Sequence, residues 1–191
     1  MRSSGSTRTP SRRRGIPLLL LVAGEDHPKA CTGRRLLHRG LVRPVVRLES
    51  LHPAPVVLDP HAPRALSVAD RPAAARGGLL VIDCSWNALG RRGGLPGMGG
   101  PGDRRAVFRR LPLLIATNPQ HYGRLTELNT VEALSASLAV LGDPEGSARL
   151  LEGFRGGPAF LEVNRARLAR YAAAADHDGI LAAERELFGA A

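Results

Sequence analysis

The sequence predicts an α/β protein, a parallel sheet in its first two-thirds followed by an all-helical C-terminal part. Three observations predict it. Unbroken apolar runs at residues 16–22 and 79–82 read as strands buried on both faces, the parallel type. Segments of helical spacing alternate with such runs through the first half of the chain. From residue 130 onward the patterned segments all repeat at helical spacing, bounded by Gly, Pro or Asp.

Residues 1–14 are rich in Ser, Thr and Arg without apolar periodicity, and are expected to stay disordered until an anion orders them. Arg12, Arg13 and Arg14 ahead of the first apolar run imitate an export signal. The run is far shorter than the roughly 20 residues that span a bilayer, and no small-x-small cleavage site follows. It reads as the first strand. Residues 29–39 read as a short helix with Leu36 and Leu37 inward and Gly40 closing it. Residues 42–48 and 56–58 read as short strands between Pro-rich turns. Ser67 caps a helix over 68–76, Asp70 completes a capping-box variant, and Gly77-Gly78 ends it. The strand at 79–82 runs into Asp83-Cys84-Ser85-Trp86, and the Gly-rich stretch 90–102 reads as a mobile loop. Residues 111–116 read as a further apolar strand, ending in Thr117-Asn118-Pro119. Helices are expected over 130–141, 144–154, 158–171 and 177–188. The expected organisation is a basic tail (1–14), a sheet domain (15–110) and a helical domain capping it (111–191).

Composition narrows the function classes. With 191 residues and 43% apolar content the chain supports a packed fold. Its net charge is +10, from 27 basic against 17 acidic residues, and Lys29 is the single lysine. Such a balance points to a polyanionic partner, because each neutralised phosphate releases counterions. Residues 1–14 carry five Arg and no acid, residues 15–110 carry 15 basic against 7 acidic, and residues 111–191 carry 7 against 10. The basic surface therefore belongs to the tail and the sheet part. Aromatic content of 4% leaves little material for the stacking platforms of an RNA-recognition sheet. Cys31 and Cys84 are too few for a zinc site or a secreted disulfide scaffold, and read as thiols of a reduced, cytoplasmic protein without membrane association. With His27, His121 and His177 they show no metal-ligand spacing, so no metal is expected. No dinucleotide fingerprint, phosphate loop or serine nucleophile elbow occurs.

In open parallel sheets, ligands sit outside the carboxyl ends of the strands. Three polar clusters follow apolar runs here, at residues 25–33, 83–86 and 117–123, and three in one small sheet point to a shared pocket. Thr32, at a helix start, either presents its hydroxyl and backbone amides to a carboxylate or caps the helix. Asp83, the acid at an apolar strand end, is either a base or a turn carboxylate. Trp86 is either a ligand wall or a core anchor.

Five segments carry a resemblance: Pro28-Lys29-Ala30-Cys31-Thr32-Gly33-Arg34-Arg35-Leu36, Val81-Ile82-Asp83-Cys84-Ser85-Trp86, residues 111–123, Leu128-Asn129-Thr130-Val131-Glu132-Ala133 and Phe160-Leu161-Glu162-Val163-Asn164-Arg165. In this order they resemble the motifs of the small-subunit (16S/18S) ribosomal RNA aminocarboxypropyltransferase family, over about residues 16–171. The resemblance implies a SPOUT-like fold, a parallel sheet with a deep trefoil knot followed by a helical domain with the cofactor between them. It implies transfer of the 3-amino-3-carboxypropyl (acp) group of S-adenosylmethionine to N3 of an N1-methylpseudouridine or pseudouridine in small-subunit rRNA during ribosome biogenesis. Position by position it implies that Thr32 holds the cofactor's carboxylate and that the Ile82 carbonyl meets the ribose. It further implies that the backbones of Leu111 and Thr126 contact adenine, that Thr130 lies in the same pocket, and that Trp86 packs against the sulfonium methyl. Asp83 is the candidate catalytic group. Lys29, Arg34, Arg35, Arg39 and Arg43 form the candidate RNA-binding patch, with small-subunit rRNA or a pre-ribosomal subunit as partner. A monomer is expected, the helical domain standing in for a second subunit. The chain departs from the family at His27, usually Asp, at Ala30, often Lys, at Gln120-His121, usually Val-Asn, and at Thr126, commonly Tyr. Two alternatives stay open at this stage, a SPOUT-type RNA methyltransferase and a non-catalytic rRNA-binding assembly factor.

Overall fold

The computed structural model describes residues 15–22, 32–47, 50–83 and 106–189. Lys29, Trp86, both cysteines, the basic tail and the Gly-rich stretch 90–102 lie outside them. Five strands, β1 (Leu18–Val22), β2 (Arg43–Val45), β3 (Val56–Leu58), β4 (Leu79–Asp83) and β5 (Val107–Arg109), form one sheet in the order β2-β1-β4-β3-β5. All four pairings are parallel. The apolar run expected as a first strand is β1, paired along its length with β4 from Leu18↔Leu79 to Val22↔Asp83. Successive β4 residues serve opposite faces: Leu79 and Val81 join the main core, Leu80 and Ile82 the smaller cluster behind the sheet with Leu19, Val57 and Phe108. A run without polar alternation is what such a doubly buried strand requires.

The helices are α1 (Thr32–His38), α2 (Arg71–Gly77), α3 (Thr130–Val140), α4 (Pro144–Leu151), α5 (Gly157–Val163), α6 (Arg165–Ala172) and α7 (His177–Phe188). From Thr130 to Phe188 the described elements are all helical, as the spacing predicts. α3 packs against β4, α1, α4 and α6. Nine of its residues are buried, including Leu134, Leu138 and Val140, so it is a helix covered on every side that joins the sheet to the helical layer.

Four expectations need correction. The strand read over 42–48 is only Arg43–Val45, because Pro44 has no N–H for a ladder and confines this strand to the sheet edge. The helix read over 68–76 is a single 3-10 turn, Val68–Asp70, followed by α2, with Pro72 in the first turn of the new helix. The Ser67 N–H does donate to Asp70 Oδ2 at 3.1 Å. α2 ends against the sheet because Gly77 has no Cβ, which would sit 2.0 Å from the Ala54 carbonyl oxygen. The helix read over 158–171 is broken into α5 and α6 at buried Asn164.

The fourth correction matters most. Residues 111–116 are not a strand, and the fifth strand is the preceding Val107–Arg109. Beyond β5, side chains of the helical layer take over the backbone hydrogen bonds that a sheet neighbour would supply. Glu184 accepts the Leu113 N–H at 3.0 Å, and the Tyr171 hydroxyl donates to the Leu113 carbonyl at 3.0 Å. Asn164 accepts the Ile115 N–H at 2.9 Å and returns its amide to the Ile115 carbonyl at 2.8 Å. Arg110, bound through both guanidinium ends to Glu184 at 2.7 Å, anchors the start of the segment. The Glu184 hydrogen bond outweighs burial and raises Arg110 above its already high pKa.

Candidate functional site

β4 is the middle strand of the five, so its last residue, Asp83, emerges at the carboxyl edge of the sheet beside Val22. Asp83 is 7% exposed. α1 begins over it at half-buried Thr32. A Cβ on Gly33 would fall 2.3 Å from Asp83 Oδ2, so glycine is what lets the helix lie on the carboxyl. From the helical layer, Thr130, first residue of α3, donates its hydroxyl to Asp83 Oδ1. Three segments remote in sequence thus meet on one buried acid.

The start of α3 is set by Asn129, whose Oδ1 accepts the Glu132 N–H at 2.9 Å while Glu132 accepts the Asn129 N–H at 3.0 Å. Glu132 is 3% exposed. It also accepts the Thr117 N–H and hydroxyl, both at 2.9 Å, and the Asn118 amide at 2.7 Å. Four donors fill its lone pairs, which is how a carboxyl is tolerated in such burial. They also tie the polar cluster at 117–118 to the helix that carries Thr130.

Ile82, 7% exposed, precedes Asp83 in β4 and pairs with Leu21. Leu111 is half-buried on the main core, and its carbonyl accepts Arg110 Nη1 at 3.1 Å. Thr126 is exposed and has φ 68°, a left-handed conformation that costs a non-glycine residue about 1–2 kcal/mol. Its N–H donates to the Leu114 carbonyl and its carbonyl accepts the Leu128 N–H, both at 2.8 Å. Those bonds hold a strained backbone of the kind that gathers at ligand sites.

Arg34, Arg35, Arg39 and Arg43 are all exposed, and the first three line a surface groove of about 300 Å³ with His38. Arg35 and Arg39 also have structural partners. Both guanidinium groups lie over the Phe154 ring, at 4.7 and 5.0 Å from its centroid. They donate to the Gly153 and Glu152 carbonyls at 3.2 and 2.6 Å, just past the end of α4.

The structure therefore brings Thr32, Ile82, Asp83 and Thr130 to one edge and sets Thr126 four residues upstream of Thr130. Sequence reasoning missed Gly33, Glu132, Asn164 and Glu184 as supports of that edge. Asn129-x-x-Glu132 is a legible capping box; nothing local marks the other three as buried.

Parallel α/β proteins bind ligands at the carboxyl ends of their strands, and here that edge offers a buried acid, a hydroxyl and a glycine-backed helix start beneath a helical layer. The family model described as "Ribosome biogenesis protein, C-terminal" matches residues 56–188. The 16S rRNA aminocarboxypropyltransferase of Methanopyrus kandleri is 43% identical over 154 residues, covering 81% of this chain and 88% of that one. The enzyme of the same name from Methanosarcina acetivorans is 36% identical, covering 90% and 94%. The 18S rRNA aminocarboxypropyltransferase of Schizosaccharomyces pombe is 34% identical, covering 90% of this chain and 57% of its own length. A solved structure, the SAM-dependent rRNA:acp-transferase Tsr3 from Vulcanisaeta distributa, superposes with a TM-score of 0.76 at 34% identity, over 91% of this chain and 90% of that one. The chain belongs to the 16S/18S rRNA aminocarboxypropyltransferase family.

Proposed function

We propose that the protein is an S-adenosylmethionine-dependent transferase that places the 3-amino-3-carboxypropyl group on N3 of a pseudouridine, N1-methylated or not, in small-subunit rRNA. Near full-length similarity to enzymes of that name supports the activity. The single observation in the molecule that carries it is the meeting of Thr32–Gly33, Asp83 and Thr130 at the carboxyl edge of β4.

The donor set fits the cofactor. A carboxylate suits a sulfonium and an ammonium, hydroxyls and backbone amides suit a carboxylate, and the apolar residues about β4 suit an adenine. When bound, S-adenosylmethionine supplies the electrophilic carbon of its amino-acid arm: the N3–carbon bond forms as the carbon–sulfur bond breaks, and a neutral thioether leaves. The chain's part is placement. Thr32 holds the arm's carboxylate, the Ile82 carbonyl accepts from the ribose, and the backbones of Leu111 and Thr126 hold the adenine, with Thr130 in the same pocket. Trp86 would meet the sulfonium methyl, leaving the amino-acid arm for the acceptor. Asp83 takes the N3 proton as the new bond forms, with Thr130 and Gly33 fixing its oxygens. Arg34 and Arg43, with Lys29, meet RNA phosphates, and Arg35 and Arg39 add charge while bracing α1 on Phe154.

The reading extends to the whole chain. Residues 1–14 are a basic tail, 15–110 a sheet domain and 111–191 a helical domain that closes the pocket, threaded as a SPOUT-like trefoil knot; the parallel sheet and the helices from Thr130 onward support the sheet-then-helix part of this reading. The protein acts in the cytoplasm as a monomer on rRNA or a pre-ribosomal subunit. No helix among the described residues is long and apolar enough to cross a membrane.

Calorimetry with S-adenosylmethionine and single-turnover transfer by Asp83→Asn test the site. The variant is expected to bind cofactor more weakly and, once saturated with it, to lose on the order of a hundredfold or more in transfer rate, the range of general-base contributions. Unchanged transfer removes Asp83 from the chemistry.

A further inference from the structure

Among the described aromatic residues, Phe108, Phe154, Phe160 and Tyr171 are buried. Phe188 is 36% exposed, with the Arg167 guanidinium 5.2 Å from its ring centroid. Tyr122 differs from all of them at 70% exposed. A single exposed apolar side chain is ordinary on a protein surface; its mounting is what sets Tyr122 apart.

Tyr122 sits in a turn between residues 116 and 126 whose backbone is fixed at every level. The Ala116 N–H donates to the Arg124 carbonyl and the Gly123 N–H to the Ala116 carbonyl, both at 2.8 Å. The His121 N–H is shared between the Asn118 carbonyl at 3.2 Å and Asn118 Oδ1 at 3.0 Å. His121 Nδ1 faces Glu127 Oε2, and Arg124 reaches the same carboxylate at 3.1 Å. At the base stands strained Thr126. With the backbone of the turn already fixed, a flat partner settling on the ring has only its side-chain torsions left to order.

The support is also joined to the candidate site. Asn118 donates to the Glu127 carbonyl at 3.2 Å and to Glu132 at 2.7 Å, and Glu132 lies in the first turn of the helix whose Thr130 holds Asp83. The acceptor of the proposed reaction is N3 of a uridine-type base, a nitrogen that base pairing occupies. The RNA entering the site must therefore be unpaired there, and its neighbouring bases have free faces.

We infer that Tyr122 stacks on an unpaired base of the acceptor RNA and so positions the target nucleotide beside Asp83. The inference rests on the transferase reading and adds to it a positioning residue outside the cofactor pocket. Stacking of one base on an aromatic ring is sequence-tolerant and contributes roughly tenfold or more to affinity.

The test compares Tyr122→Ala and Tyr122→Phe in the full chain. Binding is measured to a stem-loop RNA with an unpaired loop and to a fully paired hairpin of equal charge, with cofactor affinity read separately by calorimetry. The expected result is that Tyr122→Ala binds the stem-loop about tenfold more weakly, that Tyr122→Phe binds it as the unaltered protein does, and that the paired hairpin and S-adenosylmethionine are bound equally by all three. Equal stem-loop affinity for Tyr122→Ala overturns the inference. So does a Tyr122→Phe loss as large as that of alanine, or an equal loss on the paired hairpin. Failure of the transferase reading shows differently, as an unaltered protein that neither binds S-adenosylmethionine nor transfers its arm.

Discussion

Asp83 is held from two sides, by the Thr130 hydroxyl on Oδ1 and by the bare backbone of Gly33 under Oδ2. Hydrogen bonds to a charged acceptor contribute about 1.5–3 kcal/mol, so this geometry depends on both residues. Thr130→Val keeps the shape and removes the donor; Gly33→Ala keeps the helix and displaces the carboxyl. Each is expected to weaken S-adenosylmethionine binding roughly tenfold, the equivalent of about 1.4 kcal/mol, while far-ultraviolet circular dichroism stays that of the unaltered protein. Calorimetry on the two variants checks it, and unchanged affinity in both would dissociate this cluster from the cofactor. Thr32 and Asp83 were legible in the sequence because each falls in a short polar cluster beside an apolar run or a helix start, whereas Thr130 was legible only through the family resemblance. Gly33 was not, since its requirement arises from a carboxyl fifty residues along the chain.

The segment between β5 and α3 shows why the elements were only partly readable. Six apolar or small residues from Leu111 read as a strand by their unbroken apolar character, and Pro112, which cannot donate to a ladder, is the one local sign against it. They leave the sheet because Glu184, Tyr171 and Asn164, supplied by helices far along the chain, satisfy their backbone. The same long-range bonds explain the break of the expected helix at Asn164, whose amide also donates to the Phe160 carbonyl at 3.1 Å. Periodicity reports which residues are buried, not which partner completes their hydrogen bonds. β1, β4 and α7 were read nearly to the residue because their burial pattern decides their structure alone. Asn164→Ala is expected to cost about 1–3 kcal/mol, since it strands a half-buried N–H and carbonyl of Ile115. Urea denaturation measures it. A loss under 1 kcal/mol would mean that this segment is held by its apolar contacts instead.

The main core runs without interruption from Leu20 of the sheet to Ile180 of the last helix, so sheet and helical layer share one store of stability. Tyr171, fully buried in that core, donates to the Leu113 carbonyl at 3.0 Å. Burial, aided by the Glu184 charge, raises its phenol well above the ordinary 10.0. A folded-state pKa above the unfolded one means that the contribution is complete below pH 10.0 and declines as pH rises past it, because only the unfolded chain then releases the proton. The unaltered protein is therefore expected to lose stability between pH 10 and 11 relative to Tyr171→Phe, whose deficit at neutral pH is about 1 kcal/mol. Parallel denaturation curves across that range check the sign, and parallel pH profiles would contradict it.

The claim on which the account turns is that the crevice at the carboxyl edge of β4 delivers the amino-acid arm of S-adenosylmethionine, not its methyl group, to RNA. Incubating the protein with unmodified small-subunit rRNA and cofactor labelled either in the carboxyl carbon or in the methyl group measures this directly. The predicted result is carboxyl label covalently bound to the RNA with the methyl label released in a small thioether. Methyl label on the RNA, or neither label, would contradict the account.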